Sequence, residues 1–240
     1  MRPGGDSGPL SFVAEPRSAP PDRVPEDKPG PRAKFTRELP AVRRRALIEA
    51  TARCLAERGH GATSVREVCA RAGVSPGLVR HYFGGIDTLI AETYRSIGSH
   101  VAETLAVALD AADATPEARL RAFIDASFRP PVLDPDLLSI WLSFWALVRR
   151  DEAIRQIHRD VYAAYRRRLE GLIAEAAGSR SLRVDAALAA LAFTAMLDGL
   201  WLELCLDPSV FTPEDAVRIA NGWVDGLLSG TAMGLATDSA

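Results

Sequence analysis

The sequence predicts an all-α fold of about nine helices, arranged as a small basic module followed by a larger acidic one. Three observations carry that prediction. Apolar residues recur at three- and four-residue steps from position 40 onward. Glycine, proline and short polar residues stand where one periodic stretch ends and the next begins. No run of alternating residues is convincing enough to make a sheet, and no internal repeat is present.

Taken in order, residues 1–38 read as a disordered tail. The first 40 residues hold nine of the sixteen prolines and few large apolar side chains, so helix and ladder are both blocked and little offsets the entropy of ordering. From Pro40 a helix carries Leu47, Ala50, Thr51, Cys54 and Leu55 at helical spacing, and Gly59 supplies its stop. Ser64 is an N-cap with Glu67 at the capping-box position, and that short helix runs to Ala72 before Gly73. Ser75 caps the next, with Pro76 at the first helical position, and Gly84-Gly85 breaks it after Tyr82. A long fourth helix carries Leu89, Ile90, Ile97, Val101, Leu105 and Ala108 on one face. Five more are predicted over 116–128, 135–149, 151–177, 182–206 and 213–228, with Pro130-Pro131, Asp134-Pro135, Gly178-Ser179 and Asp207-Pro208 in the breaks. The last ten residues, 231–240, read as a flexible tail. The expected domains are therefore 39–85 and 86–230.

Charge separates those two modules. The whole chain has a formal net charge of -2, yet residues 32–95 carry 12 basic and 6 acidic side chains, and residues 96–240 carry 13 basic and 20 acidic. Such asymmetry points the basic part toward nucleic acid or another anionic surface. Composition excludes other classes. Three cysteines in 240 residues form no disulfide framework, and Cys54, Cys69 and Cys205 sit in apolar helical surroundings as buried reduced thiols of a reducing compartment. The N-terminus has no apolar segment of the kind a signal peptide needs. The stretch from Ala186 to Leu206 is long enough to raise the membrane question, but Asp198 and Glu203 interrupt it and it is rich in alanine, so burial within protein is expected.

The segment from Ser64 to Phe83 has the form of a helix-turn-helix. Gly73 permits the tight turn, while Val65, Val68, Cys69, Ala72, Val74 and Val79 can form a small shared core. Arg66, Arg71, Arg80, His81 and Tyr82 are left to project outward. In this motif the second helix enters the major groove, its first residues face base edges, and flanking side chains hold phosphates.

Residues 42–92 resemble the DNA-binding domain of the TetR family of bacterial transcriptional regulators. The resemblance lies in Ala62-Thr63-Ser64-Val65, Ala72-Gly73-Val74-Ser75-Pro76-Gly77, His81-Tyr82-Phe83 and Asp87-Thr88-Leu89-Ile90. It implies that Ser64 meets a phosphate at a helix start and that Arg66 reaches a base edge or a phosphate. It also implies that Ser75, Pro76, Gly77, Arg80, His81 and Tyr82 lie at or beside the operator, with Arg44 and Arg45 near a backbone contact. Phe83 is expected in the core. Two departures stand out: Ile86 replaces a phosphate-binding lysine, and Arg80 replaces the common aromatic residue before His81.

In the acidic module, Leu138, Trp141, Trp145 and Val148 form a stripe at helical spacing, with Phe144 beside it. The segments Trp141-Leu142-Ser143-Phe144-Trp145-Ala146 and Leu197-Asp198-Gly199-Leu200-Trp201-Leu202 look like the C-terminal domain of BetI-type repressors, which control choline-to-betaine pathways. Trp141, Trp145, Tyr162, Tyr165 and Trp201 can offer ring faces to a cation, and Asp198 or Glu203 the counter-charge. The run Arg166-Arg167-Arg168 reads as a solvated face. The helices from Leu182 to Leu206 and from Pro213 to Leu228 are the dimer candidates, because the first is apolar nearly all round and must be covered on every side.

These readings combine into a homodimeric, ligand-responsive repressor of the cytoplasm and nucleoid. It would bind a palindromic double-stranded DNA operator and be released by a small-molecule effector, with no membrane partner. An enzyme is disfavoured. Glu57 and His60 give one Glu-x-x-His spacing, cut by Gly59 and without a paired copy, and neither a nucleophile elbow nor a phosphate-binding loop is present. No cofactor and no metal are expected. The remaining alternative is a helical interaction protein, or an enzyme on the same fold, that has lost DNA binding.

Overall fold

Nine α-helices and one 3-10 turn make up the described residues, 40–230, of the computed structural model; both expected tails lie outside them. α1 (Pro40–Arg58) ends at Gly59, whose φ of 69° no side chain adopts comfortably. A 3-10 turn (His60–Ala62), not anticipated from the sequence, leads to α2 (Val65–Ala72). Ser64 caps α2 by accepting from the Glu67 amide at 3.3 Å. The Glu67 carboxylate forms an ion pair with Arg58 at 3.1 Å. α3 (Gly77–Phe83) begins one residue later than expected, with Pro76 as its N-cap. Val68, Cys69, Val79, Phe83 and Leu89 are buried against Leu47, Ile48 and Cys54 of α1, and they form the head's core.

α4 (Ile86–Ala111) is a 26-residue helix, roughly 39 Å long at 1.5 Å per residue. It serves three cores in turn. Leu89 belongs to the head, Tyr94 and Ile97 to a joint with α1, and Leu105 and Leu109 to the body. Packing is thus continuous past position 86, where α4 begins.

The body comprises α5 (Pro116–Ser127), α6 (Pro135–Val148), α7 (Glu152–Ser179), α8 (Ala186–Leu206) and α9 (Pro213–Leu228). Pro116, Pro135 and Pro213 sit in first helical turns behind the side-chain caps Thr115, Asp134 and Thr212. α8 starts four residues later than expected. Asp185 accepts from the Leu188 amide at 2.9 Å and so fixes the helix start, while Leu182 and Val184 pack into the core outside the helix. α8 is the one described helix long and apolar enough to span a membrane, yet Ala189, Ala190, Phe193 and Leu197 are buried inside the chain. The joint between head and body is Ala52 and Leu55 of α1 packed with Tyr94, Ile140, Trp141 and Phe144.

Candidate DNA-binding surface and ligand cavity

The outer face of the head displays Arg45, Ser64, Arg66, Ser75, Pro76, Gly77, Arg80 and His81 as exposed residues. Ser64 and Arg66 stand at the start of α2, and Ser75, Pro76 and Gly77 at the start of α3. Tyr82 is half-buried, leaning on the head core with its ring edge toward Phe83, and its centroid is 4.9 Å from that of His81. Two further arginines are paired with carboxylates of neighbouring helices, Arg44 from an exposed position and Arg71 from a half-buried one. Arg44 donates to Glu92 at 2.6 Å and lies 5.1 Å from the Phe83 ring centre, which ties the start of α1 to α4. Arg71, expected to project freely, binds both carboxylate oxygens of Glu57 at 2.5 and 2.6 Å. This bidentate pair holds α2 to the end of α1 and lowers the Glu57 carboxyl below its ordinary range. Glu57 therefore has a structural partner, and no metal-type cluster occurs among the described residues. Ile86 is half-buried between the head core and the joint.

Inside the body is a cavity of about 800 Å³. Trp141 and Trp145 enter it from α6, Tyr162 and Tyr165 from α7, and Asp198 and Trp201 from α8. Six of the eight residues named in the sequence for this site thus line one space; Glu203, exposed on α8, does not. Neither does Phe144. It is fully buried behind Trp141 and stacks on Tyr94, with ring centres 4.2 Å apart and planes 5° from parallel. Trp201 donates its indole N–H to the Val132 carbonyl at 3.0 Å, which presents the ring to the cavity.

Asp198 is the acid of this interior. Burial raises its carboxyl to about 6, against the opposing influence of a hydrogen bond from the Tyr162 hydroxyl and the nearby charge of Arg166. Burial and the negative charge of Asp198 also push the phenols of Tyr162, Tyr165 and Tyr94 upward, so all three remain neutral. Arg166 itself lies over the Tyr162 ring at 6.0 Å from its centre. The expected solvated run therefore begins with a residue held against the cavity wall, and Arg167 and Arg168 line the cavity as well.

A connection that the sequence did not reveal runs from this wall to the joint. The His158 ring is 4.4 Å from that of Tyr162, and its Nδ1 is 2.9 Å from the Tyr94 hydroxyl oxygen. Burial and Arg166 lower the His158 value, keeping it neutral near pH 7. His158 and Tyr162 are one helical turn apart, but Tyr94 is 64 residues away, so only its burial on α4 brings it to them. Beside this contact α4 and α7 cross closely: a Cβ added at Gly98 would stand 2.8 Å from a methyl of Val161. Ser143 on α6 donates to the Leu55 carbonyl at 3.4 Å, so the helix carrying Trp141 also touches the end of α1.

Comparison with known proteins agrees with this architecture. Residues 47–93 match the family described as bacterial regulatory proteins of the tetR family, and residues 116–229 match the C-terminal domain of BetI-type transcriptional repressors. The HTH-type transcriptional regulator BetI of Paraburkholderia phymatum is 36% identical over 191 residues, which are 80% of this chain and 95% of that protein. A solved transcriptional regulator from Pseudomonas aeruginosa PAO1 is 44% identical with a TM-score of 0.77, covering 82% of this chain and 95% of its own. A solved regulator from Saccharomonospora viridis in complex with choline shares the fold at a TM-score of 0.68 and 18% identity, covering 82% of this chain and all of its own, 100%. The chain belongs to the TetR family of helix-turn-helix transcriptional regulators, with a BetI-type C-terminal domain, and it is not an enzyme.

Proposed function

We propose that this regulator is a homodimeric repressor of the cytoplasm and nucleoid whose cavity takes a quaternary ammonium effector, with polyamines as the second choice. The observation that carries the ligand class is one buried carboxylate, Asp198, set among Trp141, Trp145, Tyr162, Tyr165 and Trp201. Ring faces attract a quaternary cation without hydrogen bonds, and the carboxylate supplies the charge it needs. A choline complex is described for a protein of the same fold. Phe144 backs this wall and does not touch the ligand.

Operator contacts are assigned to Ser64, Arg66, Ser75, Pro76, Gly77, Arg80, His81 and Tyr82, with Arg45 on the backbone; Arg44 serves by holding α1 to α4. Dimerisation through α8 and α9 is supported by a stripe on α8 that nothing among the described residues covers: Leu188, Leu191, Ala192, Ala195, Gly199 and Leu206 are all exposed. Ile219 and Gly222 continue it on α9. Only 33% of the most apolar window of α8 is buried within one chain, so a second copy is the natural cover.

Release follows from differential binding, because a ligand with equal affinity for both states shifts nothing. An effector that re-seats Trp141 moves α6 against α1, and one that displaces Tyr162 disturbs the His158–Tyr94 contact on α4. Either movement re-aims α3 relative to its dimer mate. The test is a titration with choline, read by tryptophan fluorescence and by DNA release in a mobility-shift assay. Quenching together with release is expected, and Trp145→Ala should blunt both while sparing DNA binding. Release by a neutral or anionic compound with no response to cations would overturn the ligand class and leave the repressor intact. Failure of the protein to shift its own upstream DNA would favour a helical interaction protein instead.

A further inference from the structure

The charges around the cavity are not all of one kind. Asp198 is the acid of its interior, but the exposed residues of its lining include Arg95 on α4 and Arg167 and Arg168 on α7, with Asp160 as the single acid among them. Arg95 shares its charge with Glu92, to which it donates at 2.5 Å, and Asp160 accepts from Gln156 at 3.0 Å. Arg167 and Arg168 have no such carboxylate among the ion pairs of the described residues, and Arg166 reinforces them from the Tyr162 face. A mouth of this sign opposes the approach of a bare cation and attracts an anion. The cavity is also far larger than a trimethylammonium group requires, at about 800 Å³, and lies within the range that encloses drug-sized ligands.

We infer that the effector is a zwitterion, with its quaternary ammonium group inside against Asp198 and the aromatic rings, and with a carboxylate or phosphate at the mouth on Arg167 and Arg168. This inference rests on the cationic reading of the interior and adds the second pole. The rim arginines then act as specificity residues. Guanidinium groups bind carboxylate and phosphate by paired donors, and a ligand bridging both poles aligns itself along the cavity. A cation without an anionic end meets Asp198 alone and loses that alignment.

Fluorescence titrations at fixed ionic strength test this with choline, phosphocholine and carnitine, which share the ammonium group and differ in the second pole. The wild-type protein should bind at least one of the two zwitterions tenfold or more tighter than choline, and the better of them identifies the anion as phosphate or carboxylate. Arg167→Gln with Arg168→Gln should remove that preference by weakening the zwitterions while choline binds as tightly or more tightly, with an unaltered melting temperature because both side chains are exposed. Asp198→Asn should weaken all three. Choline binding as tightly as both zwitterions, or a preference that survives loss of both arginines, overturns the two-pole site and leaves the cationic reading standing. A simple carboxylate or fatty acid that binds as well as the zwitterions, or no binding by any of the three ammonium compounds, overturns the cationic reading with it.

Discussion

The head and the body use polar groups in opposite ways. In the head, the buried core is apolar side chains and thiols apart from Thr51, whose hydroxyl is turned back onto the Leu47 carbonyl, and the charges are outside: Arg66, Arg80 and His81 are exposed on short helices that a few small side chains hold together. In the body the helices are long and the decisive polar groups are inside, with Asp198, Tyr162 and Tyr165 enclosed by aromatic walls. A surface that must meet phosphates can leave its cations hydrated until DNA arrives. A pocket that must recognise a small cation has to desolvate its carboxylate beforehand, and burial accordingly raises the Asp198 carboxyl. Binding strength in the head is added at the surface, whereas in the body it is drawn from the stability of the fold.

The largest effect is expected where the body serves the head. Leu191 is exposed on α8, so Leu191→Glu should leave the monomer fold within about 0.5 kcal/mol of its stability. It would nevertheless bury a charge in the proposed dimer. Size-exclusion chromatography should show monomer, and operator affinity should fall by more than about 100-fold, because one head reaches only one of two half-sites a helical turn apart. A variant that stays dimeric would place the interface elsewhere. Next in size is the head's own contact: Arg66→Ala should lower operator affinity by roughly 1–3 kcal/mol and relax preference at one base pair if the residue meets a base edge bidentately. A uniform loss over all sequences would assign it to phosphate instead.

Asp198→Asn sharpens the contrast from inside. A carboxyl at about 6 in the fold, and near 3.8 when unfolded, binds its proton more tightly when folded. Its stabilising contribution is therefore full below the unfolded value and is lost as pH rises through about 6. At pH 7.5 the ionised group costs up to roughly 3 kcal/mol, so the asparagine variant should melt higher there, and the difference should vanish near pH 4. Cation affinity runs the other way. In the wild-type protein it should fall about tenfold per pH unit below 6, and in the variant it should be weak by about 100-fold at pH 7.5 and nearly flat with pH. Equal melting curves across this range would mean that water reaches Asp198 and that the wall is open.

How much of this was legible follows the same division. The head could be read because its signals are local: Ser64 caps three residues ahead, Gly73 takes a φ of 65°, and the exposed arginines follow from helix faces. The ion pair of Arg71 was not legible there, because its partner Glu57 lies on another helix 14 residues away. In the body, helical periodicity found Trp141 and Trp145, and the resemblance to BetI-type domains pointed to Asp198 and Trp201, but neither could separate wall from backing. Phe144 sits between two wall residues in sequence, yet its rotation about α6 turns it onto Tyr94. Tyr94 and His158 carry no motif at all. In the arginine run at 166–168, Arg167 and Arg168 are exposed as a charge run usually is, and only the packing of α7 beside the cavity gives them a place at its edge.

The smallest effect is the most diagnostic of the head's register. Ile86 opens α4 where a phosphate-binding lysine stands in the resembling family, and here it is half-buried between the head core and the joint. Ile86→Lys should therefore have two opposed consequences. The apolar stem can follow the present path of the isoleucine while the ammonium group reaches solvent, so the packing loss should be about 1 kcal/mol in thermal unfolding. A cation in the first turn also opposes the helix dipole by a few tenths of a kcal/mol in the free protein. On DNA the added charge should neutralise one phosphate and steepen the slope of log affinity against log salt by about 0.9, equally for operator and unrelated sequence. A steeper slope with unchanged preference would show that this regulator has exchanged one sequence-independent contact for a tighter joint between α4 and the head. An unchanged slope would mean that the start of α4 does not face the backbone, and the docking of α2 and α3 would have to be rotated accordingly.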